Sequence, residues 1–275
     1  MHYLKFKREQ IGRCNICGIK AKLTWDHVPP KGGQLMTEVE QESIFQYLVG
    51  NRERRYQLSQ NGVKYRTICG NCNNAVLGAK CDPALNELAS DIMLMLKTSV
   101  LLPKSTIKVR TKPALISKAI MGHMLSASGD YGESKFDERF REYVLDDSLV
   151  APKGIKILYW VYPYMSIKII RDVAMPQYRG DWGDFRRGGV GIFSIMKYPP
   201  LGFLVTDLDS YEGLAELTQY CGSNLDDEAE IPIRLNDLKP EYWPEAGDDT
   251  FLMGGEGLGN GVSAVPRNKK NSFKK

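Results

Sequence analysis

The chain has 275 residues, a net charge of +4 and a hydrophobic fraction of 43%. This composition can build the core of one large or two ordinary domains, and it excludes a disordered or fibrous chain. No apolar run reaches the length that a membrane helix needs, and the first residues carry no secretory pattern, so we expect a cytoplasmic protein with no membrane partner. Disulfides are not expected in a cytoplasmic protein, so the six cysteines need another explanation.

The charge is unevenly distributed along the chain. Residues 1–90 carry 13 basic and 8 acidic side chains, whereas residues 206–250 carry 2 and 13. A basic N-terminal part suits a polyanionic partner such as nucleic acid. The acidic segment is typical of a solvated surface.

Short strands and one longer helical segment are predicted in the N-terminal part. The pattern predicts strands at 22–25 and 63–68, an amphipathic helix at 37–50, a turn at Asn61-Gly62 and a strong helix at 83–102.

The remainder of the chain is predicted to be mixed. The predicted elements are a strand at 106–110, helices at 113–127, 133–145 and 211–220, and strands at 155–162, 165–173, 191–198 and 201–208. The first two of the later strands are expected to form a hairpin, and the last two repeat the pattern around Pro199-Pro200.

We therefore predict an α+β protein with three units. They are a domain at 1–102, an α+β domain of mainly antiparallel strands at 103–246, and a flexible basic tail at 247–275.

Four of the six cysteines form two pairs with the spacing of zinc knuckles. Cys14 and Cys17 make one C-x-x-C pair, and Cys69 and Cys72 make the other. Two such pairs supply the four thiolates of a closed structural Zn²⁺ site. A redox C-x-x-C or buried free thiols are the alternatives, and neither explains a second pair. Cys81 and Cys221 are interpreted as ordinary buried thiols.

Asp26 and His27 stand between the two knuckles, at the end of a predicted strand and directly before Val-Pro-Pro-Lys. Of the other two histidines, His2 lies at the terminus, and His123 is interpreted as a core or surface residue of its helix.

Together, the first C-x-x-C, the strand ending in Asp-His-Val-Pro-Pro-Lys, and the sequence Cys-x-x-Cys-Asn-Asn resemble the zinc-stabilised HNH endonucleases, which have the ββα-metal fold. The resemblance covers roughly residues 12–90. It implies that His27 is the general base, that Asp26 binds a catalytic Mg²⁺ or Mn²⁺, and that Asn73 completes that metal site.

Two features depart from the family pattern. The segment between His27 and Cys69 is longer than in compact members, so residues 34–60 are read as a helical insertion. The middle Asn of the pattern has two candidates, Asn61 and Asn74. Asn61 is equally explained as a turn residue and Asn74 as a structural residue.

The leading hypothesis is a metal-dependent endonuclease, with double-stranded DNA as the expected partner. The chemistry is coherent, because imidazole can accept a proton near neutral pH and hard oxygen ligands suit Mg²⁺ or Mn²⁺. The alternative is a non-catalytic zinc-knuckle module that binds nucleic acid or protein. The C-terminal region carries no catalytic motif and is a candidate for binding a protein partner.

Overall fold

The computed structural model describes residues 4–33, 37–44, 56–98, 106–176, 190–208, 214–245 and 261–267. It has a mixed α+β architecture in which all pairs of named strands are antiparallel. Within these ranges, none of the helices combines the length and apolar character of a membrane span.

The described strands fall into three sheets. They are β1 (Ile11–Arg13), β2 (Lys20–His27), β3 (Val39–Ser43), β4 (Gln57–Ser59), β5 (Lys64–Cys69), β6 (Ile107–Thr111), β7 (Lys156–Val161), β8 (Ile167–Pro176), β9 (Val190–Tyr198), β10 (Leu201–Thr206), β11 (Ala215–Glu216), β12 (Ala229–Ile233) and β13 (Val262–Pro266). The sheet orders are β1-β2-β5, β11-β7-β10-β9-β8-β13-β3-β4, and β12-β6.

The described helices are a π-helix (Cys72–Cys81), α1 (Asp82–Thr98), α2 (Pro113–Ser126) and α3 (Lys135–Leu145), with short 3₁₀ turns at Lys31–Gly33 and Thr218–Tyr220. Pro113 stands at the first turn of α2, where its missing N–H costs nothing. Ser134 caps α3 by accepting a hydrogen bond from the Asp137 amide.

Strands β2 and β5 form a hairpin-like pair that leads directly into the π-helix and α1. Leu77 of the π-helix is fully buried, and α2 packs closely against it. A Cβ added at Gly122 of α2 would lie 2.4 Å from Leu77 Cδ2, so a larger residue there would force the buried Leu77 side chain to move. The β2–β5 pair is therefore followed in sequence by two consecutive helical segments, the first of which packs on α2.

A single hydrophobic cluster joins the N-terminal and C-terminal parts. It contains Phe6, which precedes β1, Leu23 of β2, Ile116 of α2, and Tyr198 and Ala264 of the eight-stranded sheet. Every residue of α2 is buried. A smaller cluster lies on the sheet around Trp160, Phe193 and Leu204.

The helix predicted at 37–50 is wrong in its first half. Residues Val39–Ser43 form β3, which pairs with β4 and β13 at one end of the large sheet. Ile44, Phe45 and Leu48 are the apolar residues that indicate a helical face. Ile44 is buried in the smaller cluster, and the other two lie outside the described residues. Pairing with a distant strand has overridden the local pattern.

The predicted hairpin of 155–162 with 165–173 is also wrong. Strand β7 pairs with β10 and β11, while β8 pairs with β9 and β13. The β9–β10 hairpin around Pro199-Pro200 is inserted between them, and Tyr162 N–H donates to Pro200 O at 2.7 Å. The predicted helix at 211–220 is in its described part the short strand β11 and a 3₁₀ turn.

Part of the segment predicted as a flexible tail is a strand in the interior of the large sheet. Val262–Pro266 form β13, which lies between β8 and β3. Residues 246–260 and 268–275 lie outside the described residues. Strand β3 of the predicted first domain therefore lies in the same sheet as strands of the predicted second domain.

Candidate zinc centre and active site

The four paired cysteines meet at one place. Cys14 and Cys17 lie on the turn between β1 and β2, Cys69 ends β5, and Cys72 begins the π-helix. Their sulfur atoms all lie within 4.8 Å of one another. The antiparallel pairing of β2 with β5, in which Leu23 faces Cys69, brings the second knuckle to the first.

The sulfur positions fit a tetrahedral zinc ion. Zn–S bonds of about 2.3 Å place tetrahedral sulfurs about 3.8 Å apart, and Cys17 Sγ lies 3.8 Å from Cys69 Sγ. Gly18 has a φ of 73°, which closes the first knuckle in a conformation that favours glycine. The four-cysteine cluster can therefore hold a metal ion such as zinc.

The thiols of the cluster do not ionise alike. A hydrogen bond with the Cys72 thiol lowers the pKa of Cys14 to about 4 against the cost of burial, and the Cys69 amide donates to Cys14 Sγ at 3.2 Å. Burial raises the pKa of Cys17 to about 11. Binding of a metal ion by all four thiolates must therefore release protons.

The two remaining cysteines lie away from the cluster. Cys81 ends the π-helix and is fully buried, and burial raises its pKa to about 12. Cys221 is partly buried, and burial raises its pKa to about 11. Both have the environment expected of unreactive thiols.

His27 and Asp26 lie on opposite faces of β2, as neighbours on a strand do. His27 is half-buried on the outer face, opposite Lys64 of β5. Burial lowers the pKa of His27, with Asp26 opposing the shift and Lys64 and Lys31 adding to it. The imidazole is therefore neutral at pH 7 and can accept a proton.

Asp26 points into the protein and contacts a histidine that the sequence did not mark as functional. Asp26 Oδ2 lies 3.1 Å from His123 Nδ1, and His123 Nε2 lies 2.8 Å from Asp82 Oδ1. Asp26 is 4% exposed and His123 is fully buried. Burial opposes the charge on His123, but Asp82 and Asp26 outweigh it and raise the pKa of His123 to about 10. His123 is thus a buried cation between two carboxylates.

Asn73 is held against the strand that carries Asp26 and His27. Its Nδ2 donates to Trp25 O at 2.9 Å and to Thr24 Oγ1 at 3.1 Å. These bonds use the amide nitrogen, so the amide oxygen is the atom that can bind a cation. An amide oxygen is a hard donor, whereas the Asp26 carboxylate is engaged with His123 in the interior.

The two candidates for the middle Asn lie elsewhere on the module. Asn61 is exposed in the turn between β4 and β5, next to Gly62, whose φ is 69°. Asn74 is exposed on the π-helix beside Asn73. The turn at Asn61 matches the non-catalytic interpretation of that residue.

The outer face of the β2–β5 pair is basic and aromatic. Trp25 is opposite Arg66, and His27 is opposite Lys64. The Arg66 guanidinium carbon lies 5.6 Å from the centre of the Trp25 ring. Trp25 is 46% exposed, whereas Asp26 and its partner Tyr65 face the core.

Sequence reasoning missed two residues of this region, His123 and Asp82. The sequence indicates an ordinary helical histidine at His123 and does not single out Asp82 as a site residue, because each lies far from the motif in sequence. A histidine within a continuous apolar helix is the one signal that marks a buried charge, since such a residue needs a partner.

Comparison with known proteins gives no relatives from which a role can be carried over. No family model matches the chain, and no curated protein or solved structure matches it.

Proposed function

We propose that the protein is a metal-dependent endonuclease that hydrolyses phosphodiester bonds of DNA, with His27 as the general base. The observation that supports it best is the contact of Asn73 with Trp25, from which it is separated by 48 residues in sequence. This contact brings the residue after the second knuckle to the strand that ends in Asp26 and His27, which is the pairing that the sequence resemblance implies.

The proposed chemistry assigns one task to each residue. His27 takes the proton of the attacking water at its neutral imidazole. The Asp26 carboxylate and the Asn73 amide oxygen would hold the divalent cation, which supplies stabilisation of negative charge on the phosphate and the leaving oxygen. The zinc cluster holds the ends of the β2–β5 pair and the π-helix in place and takes no part in the reaction.

A second candidate function is a non-catalytic zinc module that binds nucleic acid. The observation that favours it is the engagement of Asp26 with His123 in the interior. A carboxylate that only neutralises a buried histidine would have the same contact. The two candidates differ in whether Asp26 and Asn73 bind a cation.

The deciding experiment is a cleavage assay on supercoiled plasmid, single-stranded DNA and RNA, each with Mg²⁺, Mn²⁺ or no added divalent cation. We expect the wild-type protein to nick DNA only with an added cation. His27→Ala, purified in parallel, should lose about 10²- to 10⁴-fold in rate while keeping its zinc. This variant also controls for a contaminating nuclease.

Asn73→Ala and Asn73→His test the cation site in the same assay. Asn73→Ala should need more Mg²⁺ or Mn²⁺ for half-maximal rate, and Asn73→His should keep part of the activity, because the family that the sequence resembles accepts either residue at this position. Asn74→Ala is the matched control on the next residue of the π-helix. Wild-type protein that contains zinc, binds DNA and cleaves nothing would leave the non-catalytic module as the function.

A further inference from the structure

Four side chains form one continuous face on the outside of the β2–β5 pair. Trp25 and His27 are two residues apart on β2, and their partners across the ladder are Arg66 and Lys64. Side chains opposite each other in an antiparallel pair lie on the same face. We call this set, Trp25, His27, Lys64 and Arg66, the hairpin face.

The indole of Trp25 is exposed but fixed in position. Trp25 is 46% exposed, and its carbonyl oxygen accepts a hydrogen bond from Asn73 Nδ2 at 2.9 Å. The Arg66 guanidinium lies over the ring, and Arg66 Nη2 is itself tied to Arg8 O at 2.6 Å. A large aromatic ring exposed on a rigid strand costs little ordering entropy when it binds a flat ligand.

The two positively charged side chains beside the Trp25 ring are of the kind that binds phosphate. Lys64 lies opposite His27 and is close enough to contribute to the lowered pKa of that histidine, and Arg66 lies opposite Trp25. Proteins that bind single-stranded nucleic acid combine a basic track for the backbone with aromatic side chains for the bases. The hairpin face therefore has one aromatic ring and two cationic side chains next to His27, the proposed general base.

We propose that the hairpin face binds an unpaired nucleotide, with Trp25 stacked on its base and Lys64 and Arg66 on the adjoining phosphates. The proposal deepens the proposed function and rests on it for the position of the reacting phosphate, which would lie beside His27. It favours single-stranded nucleic acid over an intact duplex, because both faces of a paired base are already covered by its neighbours in the stack. This differs from the double-stranded DNA that the sequence led us to expect.

Binding without cleavage tests the proposal directly. Fluorescence anisotropy with a labelled 12-nucleotide DNA strand, and with the same strand in a duplex, is measured on the full chain without added divalent cation. We expect tighter binding to the single strand. Trp25→Ala should weaken that binding about 5- to 150-fold, as the loss of one stacking contact does, and Trp25→Phe should recover most of it.

The matched control is Ile19→Ala. Ile19 is 65% exposed beside the first knuckle, so its removal changes the exposed apolar surface of the same module away from the hairpin face. Lys64→Ala should reduce the salt dependence of single-strand binding by about 0.7 in slope. Lys108→Ala, which removes an exposed lysine of β6, should leave it unchanged.

The outcomes separate this proposal from the nuclease activity. Equal binding of strand and duplex, or a Trp25→Ala protein that binds the strand as well as wild type, overturns the proposal even if the protein cleaves DNA. Competition by polyglutamate as strong as by the strand also overturns it, because it indicates an acidic protein partner. Trp25-dependent binding of the single strand supports it, and the nuclease proposal then stands or falls on the cleavage assay.

Discussion

His27 and His123 show how environment divides two histidines of one module into different chemical types. Burial lowers the pKa of His27 on the outer face. His123 is more deeply buried, but the carboxylates of Asp82 and Asp26 raise its pKa to about 10. At neutral pH one imidazole is therefore a base and the other a cation, so of these two histidines only His27 can accept a proton from water.

The proposed cleavage should depend on pH through the neutral form of His27. A base must be unprotonated to act, so the rate should fall as the pH decreases through its pKa. Because that pKa is below the ordinary value of about 6.5, the midpoint of the acid limb should lie below pH 6.5, and a bound cation would shift it in the same direction. A pH–rate profile at saturating metal measures it. A limb centred above pH 6.5 would contradict the assignment.

His123→Ala should strongly destabilise the fold. It leaves the buried Asp26 carboxylate and the partly buried Asp82 carboxylate without their cation, a change that typically costs about 3–5 kcal/mol. Urea unfolding at pH 7 measures the loss. Met121→Leu, a fully buried neighbour on α2, should cost less than about 1.5 kcal/mol because it conserves volume. If both variants unfold at the same urea concentration, the carboxylates are not stabilised by His123.

At the scale of elements, the four-cysteine cluster lies where the strands and the helical segment of the candidate site meet. It joins the β1–β2 turn to the junction of β5 with the π-helix. The same junction positions Asn73 against β2. Loss of the metal should therefore release the strand pair and the helix from each other.

Cys72→Ser should give protein that aggregates or is partly unfolded, because a structural zinc site contributes on the order of 10 kcal/mol of apparent folding free energy. Elemental analysis of the wild type should find one zinc per chain. Cys81→Ala is the matched control, since Cys81 is equally buried on the same π-helix but outside the cluster. It should fold and retain zinc. A folded wild type without zinc would refute the assignment.

Local signals predicted the helices well and failed where distant pairing decides the structure. The helices at 82–98 and 113–126 have a proline in their first turn, and Ser134 caps the helix at 135–145, and these signals act within a few residues. Val39–Ser43 has no such local reason to be a strand and becomes one by pairing with β13, more than 200 residues later. For the site, C-x-x-C spacing predicted the cysteine cluster, whereas the contact of Asp26 with His123 depends on how α2 packs.

At the scale of the whole molecule, a strand near the C-terminal end of the chain lies in the interior of the large sheet. Strand β13 pairs with β8 on one side and β3 on the other. It supplies Val262 and Ala264 to the main hydrophobic cluster. The N-terminal part of the chain, which contributes β3, is thus connected to the C-terminal region through β13 as well as through α2.

Truncation after residue 260 should therefore abolish stable folding, although truncation after residue 267 keeps every described strand. Removing β13 exposes the edges of β8 and β3 and takes two buried side chains from the core. Soluble yield and thermal unfolding of the two truncated chains measure the difference. Equal stability of the two would show that β13 contributes nothing to the sheet.

Helix α2 is enclosed on every side, and this has a consequence for hydrogen exchange. All of its residues are buried, and it contacts the π-helix, α1, α3, β5 and β9. Its amide hydrogens can reach solvent only when elements from both ends of the chain separate. Among the described segments, the amides of α2 should exchange most slowly, with a free energy of exchange that equals the free energy of global unfolding. Removing a metal ion from the four-cysteine cluster should accelerate exchange in α2 as much as exchange at the two C-x-x-C knuckles.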